Sequence, residues 1–390
     1  MHRPLRHLWQ GALLALAATS ACGETGTTAQ DKPESSARPF TVREIASFGT
    51  PWAMDFLPGS GVPLTPLALV TEKEGTLWLV DTRNGSRQKV SGVPSVHVAG
   101  QGGLGDVVVH PAFAGNRRIY LSFVEKGEGG SGAALGYGTL VLGKGPPRVT
   151  GFKIIWRQSP KVEGNGHFSH RIAFARDGSL FLSSGERMKG DPAQALNGNL
   201  GKILHLDAEG RPVPRGPFAA RGGIAAQFYS IGHRNVLGLA FAPDGRLWAS
   251  EMGPQGGDEL NLVLPGRNYG WPRVSNGSEY GGKDIPDHGR GDGFEPPRTW
   301  WNPSISPGGL VIYSGNQFPA WRGDALIPAL SGEALIRVDI EGARATKADH
   351  WAMDARIRTV DQGPGGSVYL LEDGGRGKAG RLLRLDPVRR

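Results

Sequence analysis

The sequence predicts an all-β chain folded as a six-bladed β-propeller, and three observations support this prediction. Glycine takes 61 of the 390 residues, far more than the roughly 7% of an average protein, which indicates many turns. The apolar runs are short, and no long helical pattern follows the N-terminal leader. A strand–turn–strand pattern then recurs about every 50–65 residues, as is typical of propeller blades.

The clearest copies of this repeat are two hairpins with an Asp-Gly turn between alternating apolar residues. They cover residues 172–182 and 239–249, and Asp-Gly in this setting is a strong hairpin signal. Weaker copies lie at residues 360–370 and 69–79. Roughly 350 residues at this period give about six blades, whereas a pair of β-sandwiches would not explain the recurrence.

The first 40 residues differ from the repeat. Residues 1–21 combine a positively charged start, a short apolar run and small residues, which predicts an export signal. Cys22 follows directly, as in a bacterial lipoprotein signal, so two outcomes stay open: acylation of Cys22, or ordinary signal cleavage. Residues 22–40 are predicted to be a flexible tether, and residues 41–390 a single propeller domain. The predicted location is periplasmic, or at the outer membrane through a lipidated Cys22.

Composition and motifs argue against several other functions. The net charge of +8 comes from scattered Lys and Arg without a run of five, so nucleic-acid binding is not indicated. A single cysteine excludes a disulfide scaffold and Cys-based metal clusters. Residues 100–105 match G-x-G-x-x-G, but a strand is predicted to follow, so a dinucleotide site is not expected. His167 and His170 have metal-like spacing, yet an extended segment would point them to opposite faces.

Two polar segments at the predicted rim carry candidates for catalysis. His167 lies in a Gly-rich loop, and Glu186 ends the following hairpin, which would bring a carboxylate to an imidazole as in a general base. Arg234 and Asn235 precede another repeat strand, where a guanidinium suits a carboxylate or a developing oxyanion. For His167 and Glu186 the alternative is a surface ion pair. For Arg234 and Asn235 it is a hydrogen-bond network between blades.

Two further segments suit ions. Residues 251–261 contain a Gly-Pro turn and carboxylates, a hard-oxygen set that calcium prefers. Arg356 and Arg358 are two residues apart on a predicted strand, which places both guanidinium groups on one face. Such a pair suits an anion with several carboxylates, and a solvated edge is the alternative.

In their order along the chain, these segments resemble the soluble aldose sugar dehydrogenases that depend on pyrroloquinoline quinone (PQQ), the glucose/sorbosone dehydrogenase family. The matching motifs span residues 45–388 and are Gly-Gln-Gly-Gly-Leu, His-Phe-x-x-Arg, Gly-His-Arg-Asn, Gly-Pro-x-Gly-Gly-Asp-Glu-x-Asn, Asn-Tyr-Gly-Trp-Pro and Arg-Ile-Arg. The family is a six-bladed propeller. The resemblance implies oxidation of the C1 hydroxyl of an aldose sugar to a lactone, hydride transfer to PQQ, and an external electron acceptor.

The resemblance also implies a role for each matching position. His167 would take the proton from the anomeric hydroxyl, and Glu186 stands where the family has an Asp that orients this histidine. Arg234 would stabilise the negative charge that develops on the quinone. Contacts to the cofactor or the sugar are implied for Gln101, Asn235, Arg356 and Arg358. Calcium ligands are implied in two sets, the carbonyls of Gly253 and Pro254 beside the quinone, and Glu259, the carbonyl of Tyr269 and Glu279 at a structural site.

The chain departs from the family pattern at several positions. Ser331 stands where the family often has a lysine, Met252 where a polar residue is usual, and His170 where a small residue is common. Two alternatives stay open: a catalytically silent propeller that binds calcium and a glycan, and a sorbosone-type aldehyde dehydrogenase. A calcium-dependent hydrolase or lactonase would need carboxylates in the central cavity, and none is predicted there.

Overall fold

The computed structural model describes residues 35–59, 65–374 and 377–388. These residues form six four-stranded antiparallel sheets, so the predicted six-bladed β-propeller is confirmed. The predicted export signal of residues 1–21 and the candidate lipidation site Cys22 lie outside the described residues. Among the helices that are described, none has the length and apolar character needed to cross a membrane.

The strands follow the blades in chain order. Strand β1 (Phe40–Phe48) comes first, and the first blade contains β2 (Pro51–Phe56), β3 (Leu67–Glu72), β4 (Thr76–Asp81) and β5 (Ser86–Val90). The second contains β6 (Leu104–Val109), β7 (Arg118–Gly127), β8 (Gly130–Val141) and β9 (Arg148–Arg157). The third contains β10 (Ser169–Phe174), β11 (Leu180–Ser184), β12 (Lys202–Leu206) and β13 (Phe228–Ile231).

The fourth blade is interrupted by a small ribbon. Its segment of the chain contains β14 (Val236–Phe241), β15 (Leu247–Glu251), β16 (Gln255–Gly256), β17 (Asp258–Val263), β18 (Gly277–Ser278) and β19 (Thr299–Trp301). Strands β16 and β18 pair only with each other. The fifth blade contains β20 (Val311–Ile312), β21 (Ala325–Ala329), β22 (Ala334–Glu341) and β23 (Arg344–Ala352). The last contains β24 (Ile357–Gln362), β25 (Val368–Glu372) and β26 (Gly380–Pro387).

Helices are short and lie in the connections. The described residues contain one α-helical turn, α1 (Phe113–Asn116), and five 3-10 helices at Asp191–Ala193, Ala219–Arg221, Gly223–Gln227, Pro319–Trp321 and Pro364–Gly366.

The ring is closed by strand β1, which is the outermost strand of the last blade. It pairs antiparallel with β26, from Phe40 opposite Pro387 to Phe48 opposite Gly380. Just before it, the backbone N–H of Ser36 donates to a carbonyl oxygen of β23 at 2.8 Å. The prediction of a flexible tether up to residue 40 is therefore corrected at its C-terminal end, because residues 36–40 pack on the propeller.

The Asp-Gly hairpins occupy equivalent places in their blades. Residues 172–182 and 239–249 lie on the hairpins that join the first and second strands of the third and fourth blades. Residues 360–370 do the same in the last blade. The copy at residues 69–79 is out of phase, because it joins the second and third strands of the first blade. A long connection after Phe56 separates the first two strands there, which hides the repeat.

The innermost strands of the six blades surround a central cavity of about 180 Å³. Three carboxyl groups line it from different blades, those of Asp55, Asp106 and Asp361, together with the guanidinium of Arg171. The expectation of a central cavity without carboxylates is therefore wrong. Among the described residues, no group of three or more His, Cys, Asp or Glu side chains is arranged to hold a metal ion.

Candidate active site

The third blade brings His167 and Glu186 together. His167 lies just before β10, and Glu186 lies just after β11, its partner in the hairpin. Nδ1 of His167 is hydrogen-bonded to Oε1 of Glu186, and both side chains are buried. A carboxylate at Nδ1 holds the ring proton there, which leaves Nε2 as a proton acceptor.

The surroundings keep this imidazole neutral. Burial lowers the pKa of His167, the hydrogen bond to Glu186 opposes this, and the charge of Arg234 lowers it further, so the net shift is downward. Burial raises the pKa of Glu186, but the hydrogen bonds from His167 and the N–H of Gly190 outweigh it, and the net shift is again downward. Glu186 also accepts the N–H of Met188 at 3.0 Å. A neutral imidazole beside an ionised carboxylate is the state that a general base requires.

The loop that carries His167 has a left-handed backbone instead of the extended one expected from the sequence. The φ angle is +48° at His167, +57° at Ser169 and +60° at His170. Such angles are uncommon outside glycine and cluster at functional sites. Arg187, which sequence analysis missed, holds this loop, because its buried guanidinium donates to the carbonyl oxygen of Gly166 at 2.9 Å. The surrounding structure therefore determines where the imidazole lies.

His170 turns away from His167 into the core. Its ring stacks on Trp52 with 5.0 Å between the centroids, and Nδ1 lies 2.7 Å from Oγ of Ser122. Burial lowers the pKa of His170 to about 3. The side chains of His167 and His170 thus have different surroundings, although the backbone between them is not extended.

Gln101 reaches His167 from the second blade. The side-chain Oε1 of Gln101 accepts the backbone N–H of His167 at 2.8 Å. The backbone N–H of Gln101 donates to the carbonyl oxygen of Asn165 at 2.8 Å. The glycine-rich stretch around Gln101 leads into strand β6, as predicted, so no helix N-terminus is available for a pyrophosphate. Gln101 thus supports the loop that carries His167.

Glu251 positions the predicted segment of Arg234 and Asn235. Its Oε1 accepts the backbone N–H groups of both residues, at 3.0 Å for Asn235. Its Oε2 lies 2.9 Å from Nδ1 of His233, whose ring stacks on Tyr269. Sequence analysis gave Glu251 no individual role, although Glu251 ends the hairpin whose first strand follows Asn235.

The guanidinium of Arg234 is directed at the predicted Gly-Pro turn. Nη1 donates to the carbonyl oxygen of Gly253 at 2.6 Å, and Nη2 lies 3.3 Å from the hydroxyl of Tyr280. Its buried Nε has no hydrogen-bond partner among the described residues. Among the described residues, the side-chain nitrogen Nδ2 of the neighbouring Asn235 has only a sulfur as its partner, Sδ of Met252 at 3.9 Å. Two adjacent donors therefore lack an oxygen acceptor, which suits an oxygen-rich ligand.

Two exposed apolar side chains flank this site, and sequence analysis missed both. Met188 is 60% exposed and Tyr280 is 69% exposed. Met188 packs over the residue before His167, since a Cβ at Gly166 would lie 2.5 Å from its Sδ. Each apolar surface thus adjoins one of the predicted catalytic groups.

Arg356 and Arg358 lie on one side of the last blade, as the sequence predicted. Their Nε atoms donate to the two oxygens of Asp373, at 3.1 Å and 2.6 Å. Burial raises the pKa of Asp373, but the two arginines outweigh it and the net shift is downward. Sequence analysis missed Asp373. Two cations share one carboxylate here, so the pair retains a positive charge.

Glu259 and Tyr269, which the resemblance places at a structural calcium, line one small cavity beside Glu251. Its volume is about 10 Å³, the size of one ion or water molecule. Burial raises the pKa of Glu259, the nearby imidazole of His288 lowers it, and the charge of Glu251 raises it, so the net shift is upward. A nearby cation would favour the ionised form of this buried carboxyl group.

Glu279 does not line this cavity, so the structure does not bring it together with Glu259. It follows strand β18 and forms a surface ion pair with Lys283 at 3.4 Å, with half of its side chain exposed. His288 lies against Glu259 instead, with Nε2 3.7 Å from Oε1. Glu279 lies at the surface, in the turn after β18, and its partner Lys283 is four residues further along the chain.

Comparisons with known proteins agree with this fold. Residues 48–384 match the family described as Glucose / Sorbosone dehydrogenase. The aldose sugar dehydrogenase YliI of Escherichia coli strain K12 is 37% identical over 345 residues, 86% of this chain and 90% of that protein. A crystal structure of a glucose dehydrogenase, 41% identical, has a TM-score of 0.82 and covers 88% of this chain and 99% of that chain. The PQQ-bound aldose sugar dehydrogenase from Streptomyces coelicolor, 28% identical, has a TM-score of 0.73 and covers 90% and 99%. Because the family match extends over most of the propeller, this chain belongs to the glucose/sorbosone dehydrogenase family.

Proposed function

We propose that the chain is an exported quinoprotein that oxidises the C1 hydroxyl of aldose sugars to the lactone. The observation that carries the proposal is a neutral, buried His167, held at Nδ1 by Glu186 and close enough to Arg234 for the guanidinium charge to lower its pKa. A base beside a cation is the arrangement that an alcohol oxidation needs. The relationship to aldose sugar dehydrogenases supports the substrate class.

Three residues of the chain have different roles in the proposed reaction. Nε2 of His167 takes the proton of the C1 hydroxyl, and Glu186 stabilises the imidazolium that results. The C1–H bond gives up a hydride, so the carbon becomes the carbonyl carbon of the lactone. PQQ, when bound, supplies the acceptor for these two electrons. Arg234 stabilises the negative charge that accumulates beside it.

The donors around this site fit PQQ, an anionic cofactor rich in oxygen. Nε of Arg234 and the amide nitrogen of Asn235 lack oxygen acceptors among the described residues. Arg356 and Arg358 share a single carboxylate and can bind carboxylates of the cofactor. The bound form of the Streptomyces coelicolor relative supports this assignment.

Calcium is part of the proposal as well. The carbonyl oxygens of Gly253 and Pro254 are hard ligands, and that of Gly253 has a lone pair beyond the one that Arg234 uses. A structural calcium is proposed at Glu259 and the carbonyl of Tyr269. Metal analysis of the purified chain tests both sites, and Glu259→Gln is expected to lose the structural ion alone.

Export and an external electron acceptor complete the proposal. The leader of residues 1–21 supports export, and Cys22 supplies a candidate anchor. Cell fractionation of the wild type and Cys22→Ser tests this. A shift of the protein from the membrane to the soluble periplasm in the variant is expected if Cys22 is acylated.

Reconstitution is the direct test of the function. The purified chain is mixed with calcium and PQQ, binding is followed by absorbance, and dye reduction is measured with several aldoses and with sorbosone. Binding with aldose-dependent reduction is the expected result. Reduction with sorbosone alone would favour the aldehyde dehydrogenase, binding without any reduction the silent propeller, and absence of binding would overturn the proposal.

A further inference from the structure

Lys73 follows strand β3 and lies against the loop that carries Gln101. Its backbone carbonyl accepts the N–H of Leu104 at 3.0 Å, and its Nζ donates to the carbonyl oxygen of Gly100 at 2.8 Å. A Cβ at Gly103 would lie 2.2 Å from the carbonyl oxygen of Lys73. The backbone of Lys73 is therefore closely packed on this loop, and its ammonium group lies beside the residue that precedes Gln101.

The ammonium group also lies in the field of the arginines of the last blade. Burial lowers the pKa of Lys73 and the charge of Arg358 lowers it further, whereas Asp373 and Glu74 raise it, with a net downward shift. The backbone N–H of Lys73 donates to the carbonyl oxygen of Thr50 at 3.0 Å, and a Cβ at Gly374, next to Asp373, would lie 1.9 Å from the carbonyl oxygen of Gly49. Lys73 therefore lies on a loop that adjoins the one carrying Asp373, the carboxylate that Arg356 and Arg358 already share. Like charges gathered in this way repel one another until an anion binds. The cluster therefore suits a ligand with more than one carboxylate.

The position where the resemblance leads us to expect a lysine is uncharged. Oγ of Ser331 donates to Oγ of Ser306 at 2.8 Å and lies 3.2 Å from the carbonyl oxygen of Ser304. This hydroxyl is engaged with its neighbours and provides no positive charge. A cation for a further carboxylate must come from another part of the rim.

We propose that Lys73 is the third cation of the carboxylate-binding rim, beside Arg356 and Arg358, and that it compensates for the absence of a lysine at Ser331. The inference rests on the proposed function, because PQQ, with three carboxylates, is the ligand. An ammonium group has three hydrogens. One is directed at Gly100, so two are left for a carboxylate oxygen.

The test is a titration of the apo protein with PQQ, followed by tryptophan fluorescence. Lys73→Met is compared with the wild type and with Lys347→Met. Lys347 is a matched control, because burial lowers its pKa too and its Nζ packs over Trp301, on a different blade. We expect the Kd of Lys73→Met for PQQ to rise about tenfold to a hundredfold, since charge-assisted contacts are the strong ones. The Kd of Lys347→Met is expected to stay at the wild-type value.

Lys73 could affect PQQ binding only by holding the loop through its hydrogen bond to Gly100. A ligand without charged carboxylates distinguishes this structural role from a direct ionic contact. The trimethyl ester of PQQ is titrated in parallel, and the loss of affinity on esterification is expected to be smaller in Lys73→Met than in the wild type. Lys73→Arg is expected to bind PQQ within about threefold of the wild type, because it keeps the charge. If Lys73→Met does not fold, Lys73→Gln takes its place.

Two results would overturn the inference. One is a wild-type Kd for PQQ in Lys73→Met. The other is a raised Kd for PQQ with the same ratio of ester Kd to PQQ Kd as in the wild type. If the wild type itself binds no PQQ, the proposed function fails and the inference fails with it.

Discussion

Replacing Glu186 with glutamine removes the charge that holds His167 and alters the shape of the side chain very little. In the proposed mechanism, the imidazole then lacks its carboxylate partner when it accepts the proton of the sugar. A hydrogen bond to a charged group contributes about 1.5–3 kcal/mol, and about 1.4 kcal/mol corresponds to tenfold in rate. We therefore expect kcat/KM of Glu186→Gln to fall by about tenfold to a hundredfold.

The direction in which the pH profile of this variant shifts can also be predicted. Glu186 raises the pKa of His167, whereas burial and the charge of Arg234 lower it. Without the carboxylate only the lowering influences remain, so the imidazole loses its proton at lower pH. The acid limb of the profile of kcat/KM against pH should move to lower pH, while the plateau falls.

The assay is steady-state dye reduction by the reconstituted enzyme, together with the Kd for PQQ, which should not change. Glu209→Gln is the control, because Glu209 lies in the connection after β12 and forms a partly exposed ion pair with Arg118 at 3.0 Å. Glu186→Asp keeps the charge and should preserve the position of the acid limb. A Glu186→Gln enzyme with wild-type kcat/KM and an unshifted limb would refute the assignment of His167 as the base.

Three further predictions address the oxyanion, the central cavity and a buried lysine. Arg234→Ala should lower kcat by about 10²–10³ in single-turnover measurements, because one lost charge stabiliser has this effect in other enzymes; an unchanged kcat would exclude Arg234 from the chemical step. Burial raises the pKa of Asp55 to about 7, so its contribution to stability is present below the unfolded pKa of about 3.9 and is lost as the pH rises to about 7. Urea unfolding of Asp55→Asn should therefore show a weaker fall in stability over this range than the wild type, and equal slopes would contradict the pKa shift. Nζ of the fully buried Lys202 donates to three backbone carbonyl oxygens of residues 192–200, at 2.7–2.9 Å. Lys202→Met should lower the free energy of unfolding by at least about 2 kcal/mol, because the acceptors are left unpaired, and an unchanged urea midpoint would contradict this.

The arrangement of the site shows which parts of it could be predicted from local sequence. His167 and Glu186 flank one hairpin, so the Asp-Gly turn between them was sufficient to predict that they meet. Arg356 and Arg358 are two residues apart, and the alternation of side chains along a strand places both on one side. Gly253 lies in a turn that its own neighbours define. In each case the contact depends on residues that are close in sequence.

Partners from other parts of the chain could not be predicted in this way. Lys73 reaches the rim from the first blade, and its contacts leave no periodic signal. Glu251 and Asp373 each end the hairpin that their partners begin, so they could have been found in the same way as Glu186. Glu279 was assigned by its position in a motif, but a local ion pair directs it to the surface. The three central carboxylates belong to different blades, and only closure of the ring brings them to one cavity.

The sequence by itself determined the number of blades, their hairpins and the residues that carry the proposed chemistry, because these depend on periodicity, turn residues and near neighbours. The tertiary structure alone decided which charges share a carboxylate, how the loop of His167 turns, and which residues line the central cavity. The physical reason is that a propeller places residues from different blades side by side around one axis. Electrostatic and steric contacts there act over a few ångströms in space, whatever the separation along the chain.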